Sequence, residues 1–273
     1  MDERRLRTPA VAGQFYPAAP AVLARGVDLL VEAVPVPDGE PFAPAYVVPH
    51  AGYRYSGPTA AHAYARLRPH ADGIRRVVLI GPAHRVPVVG CVVPGTAGWL
   101  TPLGEVPIDT AAVAALAGDG YARVDDRPLA PEHSLEVQLP FLQRLSALAG
   151  VPPVPVLPIA VGASTPDEVA GALSAAVATT GPGTIILCST DLSHYRSEVE
   201  ARAQDSATVR AVEELAAARI GRYDACGAYA LRGLLGYALG VGLRPALLHR
   251  ATSADAGGDR SRVVGYASFA LRP

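Results

Sequence analysis

The apolar runs in this chain of 273 residues are continuous, whereas a half-exposed strand would alternate apolar and polar residues. A strand that is apolar at every position is buried on both faces, as in parallel or mixed sheets covered by helices. The runs are "AYVV" (45–48), "VVLI" (77–80), "VPVLPIAV" (154–161) and "TIILC" (184–188). With helical segments between them, they predict an α/β protein in a single domain, residues 1–273. Its sheet is mostly parallel or mixed, with helices on both faces.

The segments between these runs have helical spacing. One predicted helix runs through "PEHSLEVQLPFLQRLSAL", and another begins at Thr165-Pro166, where a cap, a proline and two acids follow one another. The other predicted helices are 57–69, 109–118, 198–217 and 225–238.

The charge balance excludes several classes of function. The chain has 24 basic and 25 acidic residues and a net charge of −1, without the basic excess expected of a nucleic-acid-binding protein. Every basic residue is arginine, so a lysine Schiff base or lysine general base is excluded. We therefore expect a small molecule or a peptide as partner, and no nucleic acid.

Three cysteines stand far apart, at Cys91, Cys188 and Cys226, and none forms a CxxC pair. This number and spacing exclude a disulfide framework and a four-cysteine zinc site. No apolar run reaches the 18 or so residues of a membrane span. The N-terminal segment "MDERRLRTPAVAGQFYP" has charges but no apolar stretch typical of a secretory signal. We expect a cytoplasmic protein with no membrane partner.

Metal-ligating and proton-transferring side chains follow three of the predicted strands. His50 ends "AYVVPH", His84 ends "VVLIGPAH", and Asp191 and His194 end "IILCSTDLSH". Because ligands bind beyond the carboxyl ends of strands in such folds, we expect these groups to share a cleft. A lone histidine after a strand is usually a turn residue bonded to backbone. Three histidines in equivalent places favour a shared metal or proton-transfer site.

His133 and Cys226 each admit two interpretations. His133, in "APEHSLEV", belongs either to a capping arrangement of Ser134 and the acids or to the cleft, where it binds substrate or relays a proton. Cys226, in "RYDACGAYAL", is either a small buried residue at a tight helix start beside Gly227 or a thiolate. A helix N-terminus lowers a thiol pKa and favours the metal-binding thiolate form.

Tyr53, Arg54 and Tyr55 follow His50 directly in "HAGYRYSG". They either orient an anionic or phenolic substrate at a helix N-terminus or form a rigid surface turn. The remaining histidines lie in contexts that indicate structural roles, and they are His62, His70 and His249.

The chain resembles the Memo family, also called AmmeMemoRadiSam system protein B. The resemblance runs from Val11 to Leu271 and rests on an ordered set of motifs: "VAGQFYP", "VPHAGYRYSG", "LIGPAH", "EHSLEVQLPFL", "STDLSHY", "DACGAYAL" and "VVGYASFAL". That family is similar in fold to the class III extradiol dioxygenases, which open catechol rings with non-heme Fe(II) and O2. The resemblance therefore implies a class III extradiol dioxygenase-like fold.

The resemblance also implies a metal site. His50 and His84 match the two metal-binding histidines, and Cys226 matches the family cysteine at the third ligand position, where the dioxygenases have glutamate. A thiolate in place of a carboxylate softens the site and favours Cu(I), so ring cleavage does not follow from the fold. We expect Fe(II) or Cu, with zinc less favoured.

Pocket residues follow from the same resemblance. His194 matches the acid–base histidine, Asp191 the acid beside it, and His133 a further pocket histidine. On this interpretation Asp191 orients His194 through an imidazole N–H bond, and the three are catalytic.

Three functions remain open on the sequence. The first is a metal-dependent redox protein, an oxidase or dioxygenase-like oxidoreductase of unknown substrate. The second is a non-catalytic module that binds a peptide or protein, because family members in animals bind phosphotyrosine segments of a receptor. The third is a zinc hydrolase, ranked last because no "HExxH" motif is present. The family's bacterial setting further implies a pathway shared with radical-SAM and AMMECR1-like proteins.

Overall fold

The apolar runs form the centre of one mixed β-sheet in a computed structural model, which describes residues 5–273. Residues 1–4, on which the expectation about a secretory signal partly rests, lie outside this range. The strands of the described chain are β1 (Leu6–Arg7), β2 (Ala45–Val48), β3 (Arg76–Pro82), β4 (Cys91–Val93), β5 (Gly98–Thr101), β6 (Gly104–Pro107), β7 (Arg123–Val124), β8 (Val156–Val161), β9 (Thr184–Ser189), β10 (His194–Arg196), β11 (Arg244–Thr252) and β12 (Val263–Arg272).

Helices connect most of these strands. In chain order they are α1 (Pro20–Glu32), α2 (Tyr53–Leu67), α3 (Thr110–Gly118), α4 (Asp126–Leu129), α5 (Leu139–Leu148), α6 (Pro166–Thr180), α7 (Glu198–Glu213) and α8 (Ala228–Val241). Short 3₁₀ turns cover Arg68–Gly73, Glu136–Gln138, Ala217–Arg219 and Ser253–Ala256.

The inner strands of the sheet are parallel, in the order β2, β9, β3, β8. Antiparallel pairs flank them, β12 beside β2 and β4 beside β8, while β11 pairs with β12. All four parallel strands are buried along nearly their whole length, as their apolar sequences predict. The predicted mixed sheet and the extradiol dioxygenase-like fold are confirmed.

Helices flank this sheet in two groups. One group, α6 and α8, packs on β3. The other is α2, which packs on β2 and β12, with α1 and α5 beside it. A separate small sheet joins β1, β5 and β6. Within residues 5–273 no helix is both long and apolar enough to cross a membrane.

Several helix boundaries differ from the sequence prediction, and two of these differences bear on the residues near the cleft. The helix expected from residue 57 begins one turn earlier, at Tyr53. Pro58 therefore lies inside the helix and not in its first turn. The helix expected from Pro131 begins only at Leu139 and follows a 3₁₀ turn, so His133 lies in irregular backbone. These two shifts change the surroundings of the Tyr53 and His133 side chains.

Candidate metal centre

Three side chains from distant parts of the chain converge at the carboxyl ends of the parallel strands. His50 follows β2 and His84 follows β3, two strands that both pair with β9. Cys226 stands two residues before α8. One ligand atom from each residue lies within 4.8 Å of the other two, and His50 Nε2 is 3.2 Å from Cys226 Sγ. The structure thus brings the three predicted ligands together.

The tautomer of His50 follows from a chain of hydrogen bonds behind it. Its Nδ1 lies 2.9 Å from the Ser189 hydroxyl, and that hydroxyl donates its proton to the Ser134 carbonyl at 2.6 Å. The hydroxyl oxygen therefore accepts from His50 Nδ1–H, and also from the Gln138 amide at 2.9 Å. Nε2 keeps its lone pair and faces Cys226. Such a partner on the opposite nitrogen is the usual support of a ligating histidine.

His84 has a comparable support in Glu132. Its Nδ1 lies 2.9 Å from Glu132 Oε1, and Glu132 is fully buried. Burial alone would raise the pKa of this carboxyl, but hydrogen bonds from the imidazoles of His133 and His84 and from the Ser134 N–H lower it well below its usual range. Glu132 therefore stays ionised and leaves His84 Nε2 available to a ligand.

Glu132 is a support and not a ligand, although it lies close to two imidazoles. Its carboxylate already accepts the backbone N–H groups of His84, His133 and Ser134 as well as the His84 ring. Oε1 receives three of these donors and Oε2 the fourth, which leaves the carboxylate little capacity for a metal ion. The predicted capping contacts are present in part: Glu132 accepts the N–H groups of His133 and Ser134, but no helix begins there.

Cys226 is half-buried, and its sulfur accepts the Asp191 N–H at 3.2 Å. Burial raises the pKa of its thiol, and the Asp191 charge raises it further. This direction is opposite to the lowering expected at a helix start, because desolvation outweighs the hydrogen bonds to sulfur. Gly227 is also tightly packed, since a Cβ there would lie 2.9 Å from the Thr190 side chain.

His50 is neutral in this environment. Burial lowers the pKa of its imidazole well below the ordinary value, and the charges of His84 and His133 lower it further. A neutral imidazole is the form that binds metal ions.

Asp191 and His194 both reach the cleft but are not paired as expected. Asp191 is buried, and its Oδ1 accepts the His50 backbone N–H at 2.7 Å, which joins the ends of two strands. Burial raises the pKa of this carboxyl. His194 Nδ1 instead lies 2.9 Å from the Leu192 carbonyl oxygen. The carbonyl only accepts, so Nδ1 carries the proton and Nε2 does not.

The structure does not bring Tyr53, Arg54 and Tyr55 to the cleft. Because α2 begins at Tyr53, that side chain turns inward, donates to the Val137 carbonyl at 2.6 Å and packs at a tilt against the Phe141 ring. Arg54 is exposed and lies over the Tyr55 ring. Their predicted substrate contact has no support in this geometry.

The cleft above the cluster has a volume of about 800 Å³. His133 lies in its wall, with its ring 4.6 Å from the Phe15 ring. Asp191 is the only carboxylate that lines it among residues 5–273, against three arginines at the rim, Arg85, Arg196 and Arg222. The mouth therefore carries an excess of positive charge.

The sequence did not indicate how the site is supported. Glu132 and Glu136 were expected at most to cap backbone N–H groups beside His133, Gln138 was given no role, and Ser189 was interpreted as the last residue of a core strand. Glu136 in fact bonds a distant part of the chain. It accepts the N–H groups of Ala10 and Val11 and so anchors the segment that carries Phe15. An acid flanking a histidine was the only available signal, and it does not say which ring nitrogen is held.

Two further histidines meet far from this cluster in the chain. His62 of α2 and His249 of β11 stack with ring centroids 4.3 Å apart, and His249 Nδ1 lies 3.0 Å from the Thr59 hydroxyl. His70 packs edge-on against Phe42. These contacts agree with the structural roles expected from the sequence.

Comparison with known proteins gives the same assignment as the fold. The chain matches the family described as Memo-like protein over residues 7–270. It is 36% identical to a MEMO1 family protein of Archaeoglobus fulgidus, with 98% of this chain and all of the other covered. It is 36% identical to one of Methanosarcina acetivorans and 34% identical to one of Sulfolobus acidocaldarius, covering at least 96% of this chain and 98% of each relative.

Fold and site together define an α/β protein of extradiol dioxygenase-like architecture, with two histidines and a cysteine converging at the carboxyl ends of its parallel strands. With a match over nearly the whole chain, the protein belongs to the Memo family.

Proposed function

We propose that this protein holds Fe(II) or copper through His50, His84 and Cys226 and oxidises a small molecule in the cleft above them. The observation that carries the proposal is the convergence of the three ligand atoms within 4.8 Å of one another. Both histidines have their Nδ1 bonded to a support, which leaves Nε2 as the nitrogen for the shared space, and this is the arrangement of metal-ligating imidazoles.

The donor set fits such a metal. Two neutral imidazoles suit iron, copper, zinc or nickel, and a thiolate shifts the preference towards softer ions. Because burial keeps the Cys226 thiol protonated, ligation displaces its proton, and the observed affinity rises with pH. When bound, the metal supplies electron transfer and open positions for O2 or substrate.

His194 moves the proton in this proposal. Its Nδ1–H is held by the Leu192 carbonyl, so the free Nε2 accepts a proton from a substrate hydroxyl or amine in the cleft. A general base placed in this way typically contributes roughly 10²–10⁴-fold to a rate. Asp191 holds the two strand ends together through the His50 N–H.

The cleft favours an anionic substrate. Arg85, Arg196 and Arg222 line its mouth, and none of the three forms an ion pair with a carboxylate within residues 5–273. A volume of about 800 Å³ holds one small organic molecule. Charge of this sign concentrates anions at the site.

The test is oxygen consumption by protein reconstituted anaerobically with Fe(II) or copper, in the presence of a panel of small carboxylates and phenols. We expect substrate-dependent O2 uptake by the wild-type protein and a loss of roughly 10²–10⁴-fold in H194Q at unchanged metal content. Stoichiometric metal without O2 uptake on any panel member would contradict the redox proposal.

A second candidate is a binding module that kept the cleft. Tyr195 and Tyr223 stand at the mouth, 64% and 70% exposed, with Arg262 over one ring and Arg222 over the other. Exposed tyrosines and arginines are enriched at binding surfaces. Binding of an acidic peptide to the metal-free protein, abolished in Y195A, would favour this candidate.

A further inference from the structure

A buried acid behind the cleft has no role so far. Asp205 of α7 is 1% exposed, and its Oδ1 accepts the Ser193 N–H at 3.0 Å. Its other oxygen, Oδ2, is buried without a hydrogen-bond partner. Burying a carboxylate costs free energy unless hydrogen bonds compensate for the lost water, which indicates that Asp205 has a role at this position.

The Ser193 N–H belongs to the same planar peptide group as the Leu192 carbonyl. That carbonyl accepts from His194 Nδ1 at 2.9 Å. The peptide group therefore has the Asp205 carboxylate on one side and the His194 ring on the other. Hydrogen bonds in such a chain polarise one another, so an acceptor on the N–H strengthens the carbonyl as an acceptor.

The same peptide group is fixed from both ends by Gly265. Leu192 N–H donates to the Gly265 carbonyl, and Gly265 N–H donates to the Ser193 carbonyl, both at 2.8 Å. Asp205 reaches this place only because residue 265 has no side chain: a Cβ there would lie 1.9 Å from Asp205 Oδ2. Gly265 and Asp205 thus depend on each other.

The backbone beyond the peptide group is also held in one conformation. His194 pairs with Val264, and Tyr195 adopts a left-handed conformation with φ of 59°, which is uncommon outside glycine. Backbone of this kind persists where surrounding contacts determine it.

We propose that Asp205 is a positioning residue for His194, acting through the Leu192–Ser193 peptide group in the place where a direct Asp–His pair was expected. It fixes the Nδ1–H tautomer of His194 and leaves Nε2 as the proton acceptor of the cleft. The inference rests on the proposed function for the use of that tautomer, but the tautomer itself can be measured without turnover.

The experiment is ¹⁵N NMR of the metal-free, histidine-labelled protein, with H194Q to assign the His194 signals. In the wild-type protein we expect the Nδ1–H form. In D205N the ratio of Nδ1–H to Nε2–H should fall by about threefold, because a neutral amide polarises the peptide less than a carboxylate. In D205A the fall should reach about tenfold, because the acceptor is lost.

Two further variants separate positioning from general stability. D255N removes an exposed turn acid that accepts from Thr252 N–H and pairs with Arg202, a residue of α7 like Asp205, so it should lower stability and leave the His194 ratio unchanged. G265A displaces the Asp205 carboxylate and should reproduce the D205N shift.

An Nε2–H form in the wild-type protein, or the wild-type ratio in both D205N and G265A, would overturn the proposal. If D205A fails to fold, D205N and G265A decide. Absence of O2 uptake by the wild-type protein would contradict the proposed redox function and leave this readout intact.

Discussion

Two groups of histidines in this protein make a useful comparison. At the carboxyl ends of the sheet, His50 and His84 each have Nδ1 bonded to a buried acceptor and Nε2 turned towards a shared space with Cys226. At the α2–β11 contact, His62 and His249 stack face to face at 4.3 Å, and among the described residues only His249 has a hydrogen-bond partner on Nδ1, the Thr59 hydroxyl.

The difference shows that the number of histidines does not define a metal site. Burial lowers the pKa of His50 and of His62 alike, so both are neutral and able to ligate. In the cleft, however, fixed tautomers aim lone pairs at one point beside a thiol. In the stacked pair the ring planes are 11° from parallel, so the lone pairs, which lie in those planes, do not converge on one point, and within residues 5–273 no third ligand joins them.

The strongest perturbation of the cleft is expected from E132Q. Glu132 accepts the N–H groups of His84, His133 and Ser134 and the His84 ring, and an amide cannot accept all of them. We expect a loss of about 3 kcal/mol or more in unfolding free energy. We also expect a 10–100-fold loss in metal affinity, typical of an outer-shell partner. Urea unfolding and anaerobic titration measure the two effects.

E168Q is the matched control. Glu168 also accepts a backbone N–H, that of Thr165 in the capping box of α6, far from the cleft in the fold. It should lose little stability, because the side chain is exposed to solvent, and no metal affinity. Equal metal affinity in E132Q and the wild-type protein would contradict the support assigned to Glu132.

A smaller effect is expected when the hydroxyl groups that contact the two groups of histidines, those of Ser189 and Thr59, are removed in turn. S189A removes the hydrogen-bond acceptor of His50 Nδ1, and T59V removes the hydrogen-bond partner of His249 Nδ1. Each should cost about 1–2 kcal/mol of stability. Only S189A should lower metal affinity, by roughly tenfold or more. If T59V weakens metal binding as much as S189A, the two histidine groups do not differ as described.

The smallest expected effect is the contribution of the stacked pair, His62 and His249, to the pH dependence of the protein's unfolding free energy. Burial, His249 and Arg66 lower the pKa of His62 to about 4, below its ordinary value. Between about pH 6.5 and 4 the unfolded chain binds the proton and the folded protein does not, so stability falls as pH falls through this window. H62N should reduce that loss by only about 1 kcal/mol, because the half-exposed ring is screened by solvent.

Urea unfolding of H62N and the wild-type protein at pH 7 and pH 5 gives this difference. The same loss in both proteins would show that the stacked pair does not titrate as its environment indicates.

The sheet could be predicted from the sequence because continuous apolar runs leave few alternatives to strands buried on both faces. The helix boundaries that depend on a single residue could not be predicted in this way. Pro58 reads as a first-turn proline, yet α2 begins at Tyr53, and this single turn moves Tyr53 from the cleft to the core.

His50 and His84 could likewise be named from the sequence, since strand ends in such folds meet at one edge, whereas Cys226 was assigned only by the resemblance to the Memo family. Their orientation could not, because it depends on contacts far apart in the chain. His194 was expected to pair with Asp191, three residues before it, but its ring turns to the Leu192 carbonyl while Asp191 holds His50. Adjacency in sequence does not reveal which ring nitrogen finds an acceptor.

The central claim is that the cleft cluster, and not the stacked pair, holds the metal. Anaerobic titration with Fe(II) and with Cu(I) of the wild-type protein, C226S and the H62N/H249N double variant tests it most directly. We predict one equivalent in the wild-type protein and the double variant, and an affinity loss in C226S beyond the roughly 100-fold upper range of outer-shell partners. Undiminished binding in C226S, or binding lost in the double variant, would contradict the account.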